Sequence, residues 1–226
     1  MDKTIQVEDI LYSAAPRYVM VYMEADVSNA STPCNLKDEL ARIEREICEK
    51  TQLADINKIP PIFATRQVYK KFKKDPNRYR PSQEQLMRRI VRGLGLYHID
   101  ALVDTGNMIS LRSGCSIGVF DRDKIQGEVL TVGVGRAGEP YEGIGRGPLN
   151  IEGIPVVRDA AGGIGTPTSD NERTKVSAST SRISVCFHSF DENTVDIDNL
   201  VSMLCDGFTR YCDAVQIETA IIKCNI

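Results

Sequence analysis

The chain has 226 residues, 42% of them hydrophobic and 26% charged, with a formal net charge of −3. That composition belongs to a folded globular chain of one domain spanning residues 1–226, not to a disordered one, and no apolar run reaches the roughly 18 residues of a membrane span. Seven cysteines, widely spaced and without a CxxC pair, signal neither a disulfide framework nor a zinc knuckle. The start Met1-Asp2-Lys3-Thr4-Ile5 lacks the profile of a signal peptide, so reduced thiols in the cytoplasm are expected.

In chain order, residues 17–27 set Val19, Val21 and Met23 on one face at period two, the mark of a strand. Ser31-Thr32-Pro33 opens a helix to about residue 50, with Leu36, Leu40, Ile43 and Ile47 as its apolar stripe. Pro60-Pro61 starts a helical segment carrying Phe63, Val68, Tyr69 and Phe72, which Asp75-Pro76-Asn77 ends. Ser82 with Gln85 three residues on has the form of a capping box for a helix over 83–92, stopped at Gly93. A helix over 100–112 is expected to bury Leu102, Val103 and Ile109, with Gly114 past its end.

From Cys115 the period changes. Ile117/Val119, Leu130/Val132/Val134, Ile154/Val156 and Ile183/Val185/Phe187 alternate between glycine-rich turns such as Ala161-Gly162-Gly163. A helix near 195–211, with Leu200, Leu204 and Phe208, precedes a last strand with Val215, Ile217 and Ile221. Helices mainly in the N-terminal half and a β-rich C-terminal half make the fold class α+β, a single mixed domain.

Two motifs fail on context. Gly133-Val134-Gly135-Arg136-Ala137-Gly138 has the spacing of a dinucleotide fingerprint, but Glu139-Pro140 and further glycines follow where a helix is required, so it reads as a hairpin loop. His98 and His188 are the only histidines, so a zinc or serine hydrolase would need one of them. Cys186 and His188 share a strand face, roughly 6–7 Å apart at that spacing, too far for a direct proton relay. His188 reads as solvent-side or satisfied, and a thiol hydrolase stays a remote alternative. No metal or cofactor is expected.

One segment departs from the rest. Between Arg66 and Arg92 ten basic residues face only Asp75 and Glu84, a local charge of +8 in a chain that is otherwise −11. Lys70, Lys71, Lys73, Lys74, Arg78, Arg80, Arg88, Arg89 and Arg92 are the candidate nucleic-acid contacts, with Tyr69 and Tyr79 interleaved for stacking. A plain solvated face is the competing reading.

The segment leads into Leu102-Val103-Asp104-Thr105-Gly106-Asn107-Met108, then Ile117-Gly118-Val119-Phe120-Asp121, and later Glu172-Arg173-Thr174-Lys175-Val176. Over residues 60–190 this string resembles the tRNA-editing module of the phenylalanyl-tRNA synthetase beta subunit, and is closest to freestanding relatives of it. The resemblance implies an α+β domain whose cleft hydrolyses the ester of a wrongly charged tRNA in trans, the aminoacylated 3′ end of tRNA being the partner, with no DNA or membrane involved. It implies Asn107 as a catalytic residue and Gly106, Ser110, Gly118, Asp121, Thr174 and Lys175 at the substrate pocket; Asp104, one turn earlier on the same helix face as Asn107, is the second catalytic candidate. Three positions differ from the synthetase pattern: a threonine becomes Gly106, the pocket histidine becomes Gly118, and the acidic residue that selects tyrosine falls near Lys175. The amino acid is therefore left open. A non-catalytic RNA-binding module that kept the fold is the alternative function. No general base is evident, and the vicinal ribose hydroxyl could help activate water.

Overall fold

The computed structural model describes residues 3–223; Met1, Asp2 and Cys224 lie outside the described residues. The chain runs β1 (Thr4–Val7), α1 (Asp9–Ala14), β2 (Val19–Asp26), α2 (Cys34–Lys50), α3 (Pro60–Lys71), α4 (Ser82–Val91) and α5 (Ala101–Ser113). It continues β3 (Ser116–Asp121), β4 (Val129–Val134), the short pair β5 (Glu142–Gly143) and β6 (Gly147–Pro148), β7 (Pro155–Asp159) and β8 (Gly162–Gly165). The last elements are β9 (Arg182–Ser189), α6 (Ile197–Cys212) and β10 (Val215–Lys223). The fold is α+β.

Strand β2 decides the layering, because it is apolar on both faces rather than on one. Val21, Met23 and Ala25 join a core with Leu36 and Leu40 of α2, Ile109 of α5 and Phe208 of α6. Tyr18, Met20 and Tyr22 join a second core with Leu11 of α1, Val68 of α3, and Leu130 and Val132 of β4. A strand buried on both faces must sit inside the molecule. It is the second strand of an antiparallel sheet ordered β10-β2-β9-β3. Helices cover one face of this sheet, and the other face packs on a second sheet ordered β1-β4-β7-β8.

No hydrophobic period marks β1 and α1 in the sequence. Their burial comes from β1 pairing in parallel with β4 across more than 120 residues of chain. In the glycine motif at 133–138, Gly133 and Val134 end β4 and the remaining residues begin the loop toward β5. A Cβ on Gly133 would lie 1.9 Å from Glu8 Oε2, and one on Gly135 2.0 Å from the carbonyl oxygen of Ile151. These glycines allow close backbone approach and cradle no phosphate.

Helix α4 differs from expectation at its start. Pro81 is the capping residue and no side chain caps the helix. Ser82 is the first helical residue, and its N–H donates to the carbonyl of Pro167, leaving the capping box unformed. At α5 the expected signals hold: the Asp100 carboxylate accepts from the N–H of Val103 at 2.9 Å, and Gly114 closes the helix at φ 70°. Val103, expected in the core, is half-buried and borders a cavity. Among the described residues no helix is long and apolar enough to cross a membrane.

Candidate active site

A cavity of about 400 Å³ opens at the β3 edge of the first sheet. Val103, Gly106 and Asn107 of α5 form one wall and Ile117 and Val119 of β3 another; Ile99, Ile144 and Val176 complete an apolar lining, with Asp100, Asn107, Asp170 and Lys175 as its polar members. A Cβ on Gly106 would stand 3.0 Å from Val119 Cγ2, so glycine there lets α5 ride close on β3. Asn107 is half-buried, and its amide takes no hydrogen-bond partner among the described residues. That amide is presented to the cavity.

Asp170 escaped the sequence reading. It follows Thr166-Pro167-Thr168-Ser169, which sequence alone marks only as a turn. Its backbone is held by a bridge to Gly165 and by the N–H of Ile144 donating to its carbonyl at 3.0 Å. Its carboxyl accepts from the N–H of Val119. Burial pushes this carboxyl up to about 8, against the modest opposing effect of that one hydrogen bond. A Cβ on Gly118 would meet the Phe120 ring at 2.4 Å and Asp170 Oδ1 at 3.1 Å, and one on Gly165 would meet the same atoms at 2.4 and 3.0 Å. Two glycines inside strands are a sign of close approach, and here they clear the space that Asp170 occupies.

The other expected pocket residues are dispersed. Asp104 is fully buried and turns away from the cavity, accepting from Thr32 Oγ1 at 2.6 Å and the N–H of Ile99 at 3.3 Å, with His98 Nδ1 at 3.1 Å. It holds the segment that carries Ile99 and is not beside Asn107. Ser110 donates to the Cys115 carbonyl, Asp121 accepts from Thr180, and Thr174 lies buried against Ile164; none of the three lines the cavity. Gly118 borders it only through Asp170. Lys175 sits at the rim, paired with Glu172.

His188 and Cys186 lie inside the second core, on the face the sequence reading left open to solvent. His188 Nδ1 is 2.6 Å from the Tyr18 hydroxyl, and burial pulls the imidazole down to about 4. Burial pushes the Cys186 thiol upward. Both groups are buried, and the Cys186 thiol has no exposure to solvent, so the pair offers no accessible nucleophile. Cys34, Cys48, Cys115, Cys205 and Cys212 are, like Cys186, free thiols.

The basic segment divides in two. Arg66 is buried, with Nη1 2.8 Å from Glu84, and Arg88 Nε also reaches Glu84 at 2.8 Å. Lys74 is buried too, donating to Asn150 over the Tyr79 ring, and Tyr69 is fully buried. Leu86 is half-buried. Lys70, Lys71, Lys73, Arg78 and Arg92 remain exposed. Arg89 and Arg92 flank a groove with Leu86, Leu94 and Tyr97, and the Arg89 guanidinium lies 3.8 Å over the Tyr97 ring. Arg146 joins this rim through Gln85. The chain links the two: residues 94–99 run from the groove to Ile99 of the cavity, and the β5–β6 turn carries both Arg146 and Ile144.

Fold and site define an α+β domain with an apolar cavity floored by a carboxyl group at a sheet edge. The chain belongs to the B3/4 domain family, which matches residues 64–223, and is a relative of that domain of the phenylalanyl-tRNA synthetase beta subunit. It is 30% identical over 151 residues to the phenylalanine–tRNA ligase beta subunit of Bartonella henselae, covering 61% of this chain and 18% of that protein. A solved N-terminal fragment of the Pyrococcus horikoshii phenylalanyl-tRNA synthetase beta subunit is similar at 13% identity and a TM-score of 0.47, over 96% of this chain and 50% of the fragment. The chain thus spans about a fifth of the curated relative.

Proposed function

We propose that this protein is an aminoacyl-tRNA deacylase acting in trans in the cytoplasm, with the cavity at Asn107 as the site where the aminoacyl ester is cleaved. The observation that carries this reading is the Asn107 amide, without a partner among the described residues, facing an apolar space of about 400 Å³. That space suits an amino-acid side chain, and the amide can hold the ester through one donor and one acceptor. An aminoacyl ester is already activated, so positioning and stabilisation of the oxyanion supply much of the rate. Release of free amino acid from a panel of aminoacyl-tRNAs, each carrying one amino acid, tests the reading. Asn107→Ala is expected to lower release from the preferred member about tenfold or more with little loss of stability, because the amide supports no part of the fold. Tight binding of the panel with no release would support the non-catalytic RNA-binding alternative.

The groove beside the cavity is where the tRNA end would enter, its phosphates meeting Arg92 and Arg146 and a base stacking on Tyr97. Each phosphate neutralised contributes about −0.7 to −0.9 to the slope of log affinity against log salt. Arg92→Glu with Arg146→Glu is expected to weaken tRNA binding and to flatten that slope by about 1.4 to 1.8. Fluorescence anisotropy with labelled tRNA between 50 and 200 mM salt measures both. An unchanged slope would return the groove to a solvated face.

A further inference from the structure

We infer that Asp170 is the general base of this cavity, taking a proton from the water that attacks the aminoacyl ester. The inference rests on the deacylase reading and gives it the base that the sequence did not reveal.

The geometry is that of a placed group. The bridge to Gly165 and the Ile144 N–H fix the backbone of Asp170, the Val119 N–H holds its carboxyl, and the residue lines the cavity. Any side chain at Gly118 or Gly165 would displace the Phe120 ring and crowd the carboxyl. Two strand positions thus forgo a side chain around one acid. Among the described residues no guanidinium or ammonium is paired with it, unlike Asp159, which Arg173 grips at 2.8 and 2.9 Å, or Glu139, which Arg158 grips at 2.7 Å. An unpaired acid in an apolar cavity is costly to keep and is a mark of function.

In the step, a water proton passes to Asp170 Oδ as the water oxygen bonds to the ester carbon, giving a tetrahedral oxyanion that the Asn107 amide can stabilise. The oxyanion collapses, the bond from carbon to ribose oxygen breaks, and the same proton moves from Asp170 to that oxygen. The products are the free amino acid and the ribose hydroxyl, and Asp170 is again ionised. A carboxyl with its midpoint pushed up to about 8 suits both transfers near neutrality.

The α-amino group of the substrate titrates in the same range, so the pH dependence is assigned by comparison with the Asp170→Asn variant. The charged and titratable groups around Asp170 are Lys175 with its partner Glu172, Asp100 at the α5 cap, Tyr141 from the loop before β5, and Cys186 from β9. Burial pushes the Tyr141 phenol and the Cys186 thiol upward, so both keep their protons where Asp170 loses its own.

The test compares the parent with Asp170→Asn on the same aminoacyl-tRNA panel, with protein-free hydrolysis subtracted, from pH 6 to 9. For the parent, kcat/KM is expected to rise with pH and level off above about 8. The amide of the variant cannot accept the proton, so kcat should fall at least about a hundredfold and the inflection should vanish, with KM little changed. A variant that raises KM while keeping kcat and the inflection would overturn the inference by making Asp170 a binding group. A variant that keeps all three overturns it outright. A parent that releases amino acid from no member of the panel overturns the deacylase reading and this inference with it.

Discussion

Glu84→Ala is expected to cost about 3–5 kcal/mol of folding free energy, the range for breaking a buried ion pair by removing one partner. The Glu84 carboxylate has no exposure to solvent and accepts from Arg66 Nη1 and Arg88 Nε, each at 2.8 Å, with Arg80 Nε 3.7 Å away. Removing it leaves the Arg66 guanidinium inside with, among the described residues, the Pro76 carbonyl and Asn77 Oδ1 as its remaining partners. A buried cation without its counter-charge is far costlier than the pair was worth. Glu84→Gln keeps one acceptor oxygen and should lose less. Urea unfolding monitored by circular dichroism measures both: the midpoint should fall with the slope unchanged. A loss under about 1 kcal/mol would mean that water already reaches the guanidiniums.

This ion pair also shows where sequence reading reached and where it stopped. Local signals were sufficient for the helices: the stripe from Leu36 to Ile47, the prolines at 60 and 61, and Asp100 with Gly114 each describe their neighbours along the chain. The strands from Ile117 to Phe187 followed in the same way from alternation. What stayed hidden depends on partners distant in sequence. Nothing near Arg66 says that Glu84 will bury it, so ten basic residues read as one surface when several of them are structural. An Arg88→Glu substitution would press a second carboxylate on Glu84 and report stability rather than RNA binding, which is why Arg92 and Arg146 are the informative pair. Asp104 looked like a partner of Asn107 because three residues separate them on a helix, yet Thr32 and the Ile99 N–H turn its carboxylate the other way. Asp170 was invisible because its meaning comes from Val119, Gly118 and Phe120, some fifty residues upstream. The two strand glycines were the only trace of it.

Asp170→Asn is expected to stabilise the protein at neutral pH by about 2–4 kcal/mol, through the linkage between titration and folding. The folded carboxyl titrates at about 8, whereas an unfolded aspartate titrates near 3.9. Below about pH 4 both states hold the proton and the group costs nothing. As the pH rises, the unfolded chain releases its proton while the folded one must keep it or ionise in an apolar cavity, so stability falls until the folded midpoint is passed. Asparagine is neutral throughout and escapes this penalty while keeping an oxygen to accept from Val119. Burial and Arg pairing act on Glu139 and Asp159 with net lowering, so their contribution is lost as the pH falls; they are common to parent and variant and cancel in the difference. Thermal unfolding of both proteins at pH 4.5 and 7.5 checks the sign: a small advantage for the variant at the lower pH, and a several-fold larger one at the upper. A difference that does not change with pH would mean that Asp170 ionises freely in the folded state. A residue whose isosteric replacement makes the protein more stable needs a reason other than the fold to be there, and proton transfer in the cavity supplies one.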